Sequence, residues 1–171
     1  MEETLERELL RAVRKDLSLG IIMLDIDNFK SINDTCGHAA GDDILRSLGH
    51  LLLDQVRGED IPCRYGGDEF IIVLPDVSRQ ITRERAELIC DQAKHSQLKL
   101  EGEPLELEDI SLSLGVALFP ENGSSSTELL KSVDSALYHA KHEGKGRVVM
   151  AGGLPQVVEK KTPRSKDVPG M

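Results

Sequence analysis

The sequence predicts an α+β fold in which helices pack on a central, mostly antiparallel, five-stranded sheet. Helix-like and strand-like segments alternate along its 171 residues in the order α-β-α-β-β-α-β-α-β. In the middle, two short strand-like segments flank the pair Gly66-Gly67, which is typical of a hairpin. A sheet with helices supplied before, between and after its strands favours this class, and the length suits one domain.

Four segments space their apolar residues as amphipathic helices do. They are residues 2–16, residues 37–56, a segment that begins at Ser78, and residues 128–141. Five segments have strand character, namely residues 21–27, 61–65, 69–74, 110–118 and 148–149. Between 110 and 118 apolar residues alternate with small or polar ones, the period of two that indicates a strand. The pattern stops after Ala151, so we expect a domain over 1–151 and a disordered tail over 152–171.

Composition excludes several functional classes. The formal net charge of −9 and the pI of about 5.0 argue against DNA or RNA binding, which leaves a basic footprint. A nucleotide remains compatible, because a metal ion can bridge carboxylates to phosphates. No apolar run approaches the length of about 18 residues that predicts a membrane span, and the acidic start is unlike a signal peptide. Cys36, Cys63 and Cys90 form no C-x-x-C pair, which favours reduced thiols and a cytoplasmic location.

Two clusters of carboxylates stand out. Asp25 and Asp27 end the first strand and, two residues apart, point to the same face. Asp68 and Glu69 lie in the hairpin turn. If the hairpin lies beside the first strand, three or four carboxylates converge, and two such charges 4 Å apart repel by about 4 kcal/mol at an effective dielectric of 20. Such a cluster needs cations, and Mg²⁺ held by carboxylates is the usual device for nucleotidyl transfer.

Other interpretations of these residues compete. An EF-hand loop starting at Asp25 is disfavoured, because Phe29 and Lys30 occupy positions where that loop needs an oxygen ligand and a glycine. Asp27 would equally well end the strand and cap a turn. On the last helix, His139 and His142 are spaced to share a metal ion, but the sequence offers no third ligand nearby.

Several spaced motifs together resemble one family. Arg64-Tyr65-Gly66-Gly67-Asp68-Glu69-Phe70 is similar to the signature of the GGDEF family, the diguanylate cyclases. Its first long motif resembles Leu24-Asp25-Ile26-Asp27, Phe29-Lys30, Asn33-Asp34, Gly37-His38 and Gly41-Asp42. Its last motif resembles Ala136-Leu137-Tyr138, Ala140-Lys141 and Gly144. The resemblance covers residues 1–151 and implies a GGDEF catalytic domain whose fold is similar to the palm of nucleotidyl cyclases and polymerases.

The resemblance implies roles for the acidic residues. Asp25, the backbone carbonyl of Ile26 and Asp68 match the positions that hold Mg²⁺ or Mn²⁺. Glu69 matches a second acidic position near the metals. Asp68 also matches the proposed general base for the attacking 3′-hydroxyl, so Asp68 and Glu69 are the expected catalytic pair.

Substrate contacts are implied in the same way. Asn33 and Asp42 match the residues that bind guanine, whose N1–H and N2–H a carboxylate can accept together. The implied triphosphate contacts are Lys30 and Lys141, together with Gly66 and Gly67, where the backbone comes close. Arg57 and Asp60 match the R-x-x-D inhibitory site, where the product binds. Lys145 and Gly146 depart from the family, which commonly has Arg and Asn there, and Lys145 predicts a weaker phosphate contact. Together with the unmatched segment that usually precedes the first helix, the Lys145 change leads us to expect modest activity.

The implied activity is the Mg²⁺-dependent condensation of two GTP molecules into cyclic di-GMP, with release of two pyrophosphates. Each domain holds one GTP, so the active form is a homodimer. Family members usually carry a sensory or dimerising domain upstream, and the short segment that usually precedes the first helix is not matched here. One alternative is a catalytically silent module that binds GTP or cyclic di-GMP and signals through a partner. Another is a palm-like enzyme acting on a different nucleotide.

Overall fold

The computed structural model describes residues 1–95 and 110–152. In chain order its elements are α1 (Glu2–Lys15), β1 (Leu19–Ile26), α2 (Phe29–Cys36), α3 (His38–Gln55), β2 (Ile61–Arg64), β3 (Glu69–Pro75), α4 (Arg79–His95), β4 (Leu112–Phe119), α5 (Ser126–His142) and β5 (Val148–Met150). Nearly all of the tail that the sequence predicts, residues 153–171, lies outside the described residues. Within those residues, no helix is both long and apolar enough to cross a membrane.

The five strands form one sheet in the order β2-β3-β1-β4-β5. Every neighbouring pair is antiparallel except β4 and β5, which are parallel. The prediction of a mostly antiparallel five-stranded sheet is therefore confirmed. β1 is central, and its register places Asp25 opposite Glu69 on β3 and opposite Ser113 on β4.

Helices cover both faces of the sheet, which is why all eight residues of β1 are buried. Side chains alternate along a strand. Ile22, Leu24 and Ile26 therefore join the cluster that contains residues of α3 and α4. Ile21 and Met23 point the other way, into the cluster that contains residues of α1 and α5. Asp25 continues this second series, so its carboxylate lies on the face that α1 and α5 cover.

Close contact between α5 and β4 depends on one glycine. A Cβ atom added to Gly115 would lie 2.3 Å from the carbonyl oxygen of Val133 and 2.4 Å from the amide nitrogen of Leu137. Both are backbone atoms of α5, so no side-chain rotation could relieve the overlap. Because glycine has no side chain, α5 lies directly on the sheet at this point. The C-terminal turn of α5 is thereby brought to the end of β1.

The structure differs from the sequence prediction between β1 and α3. Residues 29–36 form a separate helix, α2, so the order becomes α-β-α-α-β-β-α-β-α-β. This helix has eight residues, of which only Ile32 is buried, so it lacks the apolar periodicity that reveals longer helices. It starts after Asn28 and ends before Gly37, both with positive φ (60° and 85°). The strand before it ends at Ile26, so Asp27 follows β1 instead of closing it.

Candidate functional site

The acidic end of β1 meets the hairpin between β2 and β3. Asp25 is 5% exposed and pairs in register with Glu69, the first residue of β3. Burial raises the pKa of Asp25 from 3.8 to about 6; Lys141 opposes this rise, and the negative charges of Asp68 and Glu69 add to it. The structure thus brings Asp68 and Glu69 close enough to Asp25 to disfavour the ionisation of Asp25.

A cation from the protein itself compensates part of this charge. The Nζ atom of Lys141, near the end of α5, lies 2.9 Å from Oδ2 of Asp25. Within residues 1–95 and 110–152, no group of three or more His, Cys, Asp or Glu side chains is arranged to hold a metal ion. Lys141, for which the family resemblance implies a phosphate contact, therefore pairs here with the carboxylate implied to bind metal.

The hairpin turn is braced by an arginine to which the sequence analysis gave no role. Nε and Nη2 of Arg64 donate hydrogen bonds to the carbonyl oxygen of Gly67, at 3.0 and 2.6 Å. The Tyr65 amide donates to the Glu69 carbonyl oxygen at 2.8 Å, which closes the turn. A Cβ atom on Gly66 would lie 3.0 Å from a carboxylate oxygen of Glu69. The second glycine of the signature therefore presents its carbonyl to Arg64, and the first leaves room for Glu69.

The two residues expected to bind guanine lie together where α2 meets α3. A Cβ atom on Gly41 would lie 1.9 Å from Oδ1 of Asn33, so the Asn33 side chain rests directly on the α3 backbone. Asp42 is the next residue along α3 and is exposed. Lys30 lies on α2, three residues before Asn33, and is also exposed. The pair therefore offers amide and carboxylate groups from adjacent helices, with a lysine on the same helical face as Asn33.

Asp27 does not join the acidic cluster, although it points to the same side as Asp25. It is 4% exposed, and its carboxylate accepts hydrogen bonds from Ser111, Ser113 and Gly146. Of the four carboxylates, Asp68 and Glu69 therefore act on the charge of Asp25, and Asp27 is bonded elsewhere. Contrary to the alternative interpretation, Asp27 neither ends the strand nor caps its own turn; its carboxylate instead bonds to residues before and in β4 and after α5.

A second polar site surrounds the R-x-x-D sequence after α3. Oδ2 of Asp60 accepts a hydrogen bond from the Arg57 amide at 2.7 Å, and the Asp60 amide donates to the Arg57 carbonyl at 3.0 Å. Arg85 on α4 donates to the same oxygen of Asp60, whose side chain is 4% exposed. A cavity of about 310 Å³ adjoins this turn, lined by Asp54, Gln55, Val56, Arg57, Arg85 and Leu88. Arg85 lies 25 residues from Asp60 and belongs to no motif, so the sequence alone did not point to it.

The fold and the acidic hairpin beside β1 define a domain of the nucleotidyl cyclase class. A family model described as "Diguanylate cyclase, GGDEF domain" matches residues 1–147. The chain belongs to this GGDEF family, as its motifs predicted.

Known proteins of the family cover most of this chain. Diguanylate cyclase DosC of Escherichia coli strain K12 is 44% identical over 145 residues, 84% of this chain and 30% of the relative. Response regulator PleD of Caulobacter vibrioides is 37% identical over 134 residues, 75% of this chain and 28% of the relative. The chain thus spans somewhat under a third of the length of these curated relatives.

Solved structures agree with the fold. The GGDEF domain of DgcB from Caulobacter crescentus, in complex with c-di-GMP, aligns with a TM-score of 0.81 and 29% identity, covering 86% of both chains. The active GGEEF domain of a Vibrio cholerae diguanylate cyclase aligns with a TM-score of 0.81 and 31% identity, covering 90% of this chain and 95% of that one.

Proposed function

We propose that this domain condenses two GTP molecules into cyclic di-GMP, with release of two pyrophosphates. The observation that carries the proposal is the meeting of Asp25, Asp68 and Glu69 at the end of β1. A domain that had lost catalysis would not need to keep three mutually repelling carboxylates at one place. Relatives named diguanylate cyclase support the same activity.

The donors at this place suit a hard divalent cation. We infer that Asp25, the Ile26 carbonyl and Asp68 would hold Mg²⁺ or Mn²⁺, with Glu69 close by; all of these offer oxygen, which both ions prefer. The fit rests on the electrostatics, because burial above all, and the charges of Asp68 and Glu69 in addition, disfavour the ionised form of Asp25, and a cation would favour it. When bound, the ion would supply charge neutralisation at the phosphoryl oxygens.

The remaining residues position GTP in this proposal. Asn33 and Asp42 recognise guanine, since together they offer an amide and a carboxylate to its edge. Lys30 and Lys141 contact the phosphates, for which Lys141 leaves its pairing with Asp25. Asp68 accepts the proton of the attacking 3′-hydroxyl, as a carboxylate held at hydrogen-bond distance can. These roles supply positioning and electrostatic stabilisation, the main contributions to phosphoryl-group chemistry.

Closing the ring requires a second copy of the domain. Each domain provides one GTP, and each 3′-hydroxyl attacks the α-phosphate of the other, so the proposed active form is a homodimer with the two acidic hairpins facing. We further propose a sensory or dimerising domain upstream; one solved relative includes a coiled coil with its GGDEF domain. The three free cysteines suit the reducing cytoplasm, where we place the domain.

We also propose that cyclic di-GMP inhibits the enzyme at Arg57 and Asp60. The cavity beside them has room for a nucleotide base, and arginine can contact both a base face and a phosphate. Arg85 adds a second guanidinium to this cavity and holds Asp60 in place. The DgcB domain was solved with c-di-GMP, which supports a product site in the family.

A turnover experiment tests the proposed function. The wild type and Asp68→Asn, each fused to a coiled coil that forces dimerisation, are incubated with GTP and Mg²⁺, and product is measured by chromatography. We expect cyclic di-GMP from the wild type and at least about 100-fold less from Asp68→Asn, the cost typical of removing a general base. Asp134→Asn, the same change at an exposed position of α5, serves as the matched control.

Two outcomes would reject the proposal. If Asp68→Asn formed as much product as the wild type, Asp68 would not be the catalytic carboxylate that the proposal requires. A forced dimer that binds GTP but yields no product would indicate the silent binding module instead, and a preference for ATP would indicate another nucleotide.

A further inference from the structure

Asp27 is the most heavily engaged carboxylate of the described residues around β1. Its Oδ2 accepts hydrogen bonds from Ser111 Oγ at 2.6 Å and from the Gly146 amide at 2.9 Å. Its Oδ1 accepts from Ser113 Oγ at 2.7 Å. The residue is 4% exposed, so these bonds replace water almost entirely. An ionised buried carboxylate needs such donors, and bonds to a charged acceptor are the stronger kind.

The backbone at Asp27 fixes the direction of the preceding carbonyl. The Asp27 amide donates to the Ser111 carbonyl oxygen at 2.9 Å, so it points toward the β4 side. Cis peptide bonds in the described residues are confined to Phe119–Pro120, and in a trans peptide the N–H and C=O point in opposite directions. The Ile26 carbonyl therefore points to the side where β3 pairs. Because β3 begins at Glu69, opposite Asp25, the carbonyl faces the hairpin turn.

The carboxylate of Asp27 also holds the turn that follows α5. Gly144, Lys145 and Gly146 have positive φ values of 118°, 59° and 57° in succession. Such a turn is unfavourable for a lysine and needs external bonds to hold it. The Asp27 carboxylate accepts one such hydrogen bond from the Gly146 amide. A second bond is donated by Lys145 Nζ to Asn28 Oδ1 at 2.6 Å. The end of α5 is therefore fastened to residues 27 and 28.

This attachment has a consequence at the acidic cluster. Lys141 lies on the last turns of α5, and its Nζ is 2.9 Å from Asp25. The position of that ammonium group relative to Asp25 depends on where the end of α5 is held. Asp27 thus acts on both sides of Asp25, through the peptide that carries the Ile26 carbonyl and through the helix that carries Lys141.

We propose that Asp27 is a positioning residue for a divalent metal site. Its backbone amide, bonded to the Ser111 carbonyl, aims the Ile26 carbonyl at the hairpin. Its carboxylate, bonded to Ser111, Ser113 and Gly146, holds that peptide and the end of α5, from which Lys141 reaches the site. This role rests on the proposed function, because it assumes that the site formed by Asp25, Ile26 and Asp68 takes a metal ion. Residues that orient metal ligands typically change metal affinity by about 10- to 100-fold when they are replaced.

A buried polar residue elsewhere provides the comparison for a purely structural role. Asn122 is 0% exposed; its Oδ1 accepts from the Leu118 amide at 2.8 Å, and its Nδ2 donates to the Gly152 carbonyl at 2.9 Å. It lies beyond Phe119, at the end of the sheet opposite Ser113. Six residues of strand separate these ends, roughly 20 Å at about 3.3 Å per residue. Replacing Asn122 should weaken folding without reaching the site.

The test is Mn²⁺ affinity, measured by electron paramagnetic resonance with a GTP analogue that cannot react. Asp27→Asn keeps the size of the side chain but replaces one carboxylate oxygen with an NH₂ group. In one orientation this group faces the Gly146 amide, a donor against a donor. In the other orientation the side chain offers one acceptor too few. We expect Mn²⁺ binding at least 10-fold weaker than in the wild type, and faster hydrogen exchange at Gly146 in the metal-free protein. Asn122→Ala should lower the melting temperature and leave Mn²⁺ affinity within twofold of the wild type.

Mn²⁺ affinity of folded Asp27→Asn within twofold of the wild type would overturn this role and leave the proposed function standing. A wild-type protein that binds no Mn²⁺ would overturn both. If Asp27→Asn does not fold, Ser111→Ala, which removes one donor to Oδ2, carries the test. An affinity at least threefold weaker in that variant supports the role, and an unchanged one rejects it.

Discussion

Asp25 should lower the stability of the metal-free domain at neutral and alkaline pH. Its carboxylate is 5% exposed, and its folded-state pKa is about 6 where 3.8 is ordinary. A carboxyl group with a raised pKa makes its full contribution to stability below pH 3.8, where it is protonated in both states. That contribution is lost as the pH rises through about 6, because the folded state then has to ionise a buried acid.

The size of this effect follows from the two pKa values. Converted at about 1.4 kcal/mol per pH unit, the difference between 3.8 and about 6 corresponds to about 3 kcal/mol at pH 8. At pH 4.5 the same relation leaves about 1 kcal/mol. Asp25→Asn removes the ionisation, so its unfolding free energy should exceed that of the wild type by up to these amounts. Lys141, whose side chain is 34% exposed, can turn to water when its partner is neutral.

Urea unfolding at pH 4.5 and pH 8, with EDTA present, measures the two free energies. The advantage of Asp25→Asn over the wild type should grow by about 2 kcal/mol between these pH values. Asp134→Asn, an exposed change of the same charge on α5, should show no such growth. With Mg²⁺ and an unreactive GTP analogue the order should reverse, because only the wild type gains from binding.

The same advantage of Asp25→Asn at both pH values would refute the raised pKa of Asp25 in the folded state. A variant less stable than the wild type at pH 8 without metal would refute it too. The first result would mean that contacts in the folded state balance the cost of burying ionised Asp25, and the second that they exceed it.

Two further predictions concern packing and the second site. Gly115→Ala should lower the free energy of unfolding, measured in urea, by about 1–3 kcal/mol, because the added Cβ atom would overlap backbone atoms of α5. Gly49 has open space around it, so Gly49→Ala should raise the free energy of unfolding by about 0.5–1 kcal/mol. Equal effects of the two changes would contradict the close packing of α5. Arg85→Ala should weaken cyclic di-GMP binding, measured by calorimetry, at least about 10-fold, because Asp60 loses its charged partner. The same variant should turn over GTP as the wild type does. Arg83→Ala, an exposed neighbour on α4, is its control, and undiminished binding in Arg85→Ala would exclude that residue from the site.

Local pattern was enough to predict most of the fold. The period of two in β4, the apolar run of β1 and the Gly-Gly hairpin each depend on side chains a few residues apart, which the sequence displays directly. The pairing direction of β5 was not predictable in this way. Its three residues carry no signal for direction, and its parallel pairing with β4 follows from the crossover through α5.

The short helix α2 shows where local pattern fails. Its eight residues bury one side chain, and isolated helices of that length are unstable in water. The helix exists because it packs on α3, where Gly41 leaves room for Asn33. The family resemblance implies a shared role for Asn33 and Asp42, but only this packing puts the two residues side by side.

The sequence by itself determined which residues are candidates for the chemistry: the carboxylates Asp25, Asp68 and Glu69 were recognisable from their type, spacing and motifs. Their common location also followed once a hairpin was placed beside β1. Only the tertiary structure decided the partners of these groups. These partners come from elements far apart along the chain: Lys141 for Asp25, Arg85 for Asp60 and Gly146 for Asp27. Such contacts depend on how the helices pack on the sheet. The periodicity of one segment indicates which of its faces is buried but not which residues that face contacts.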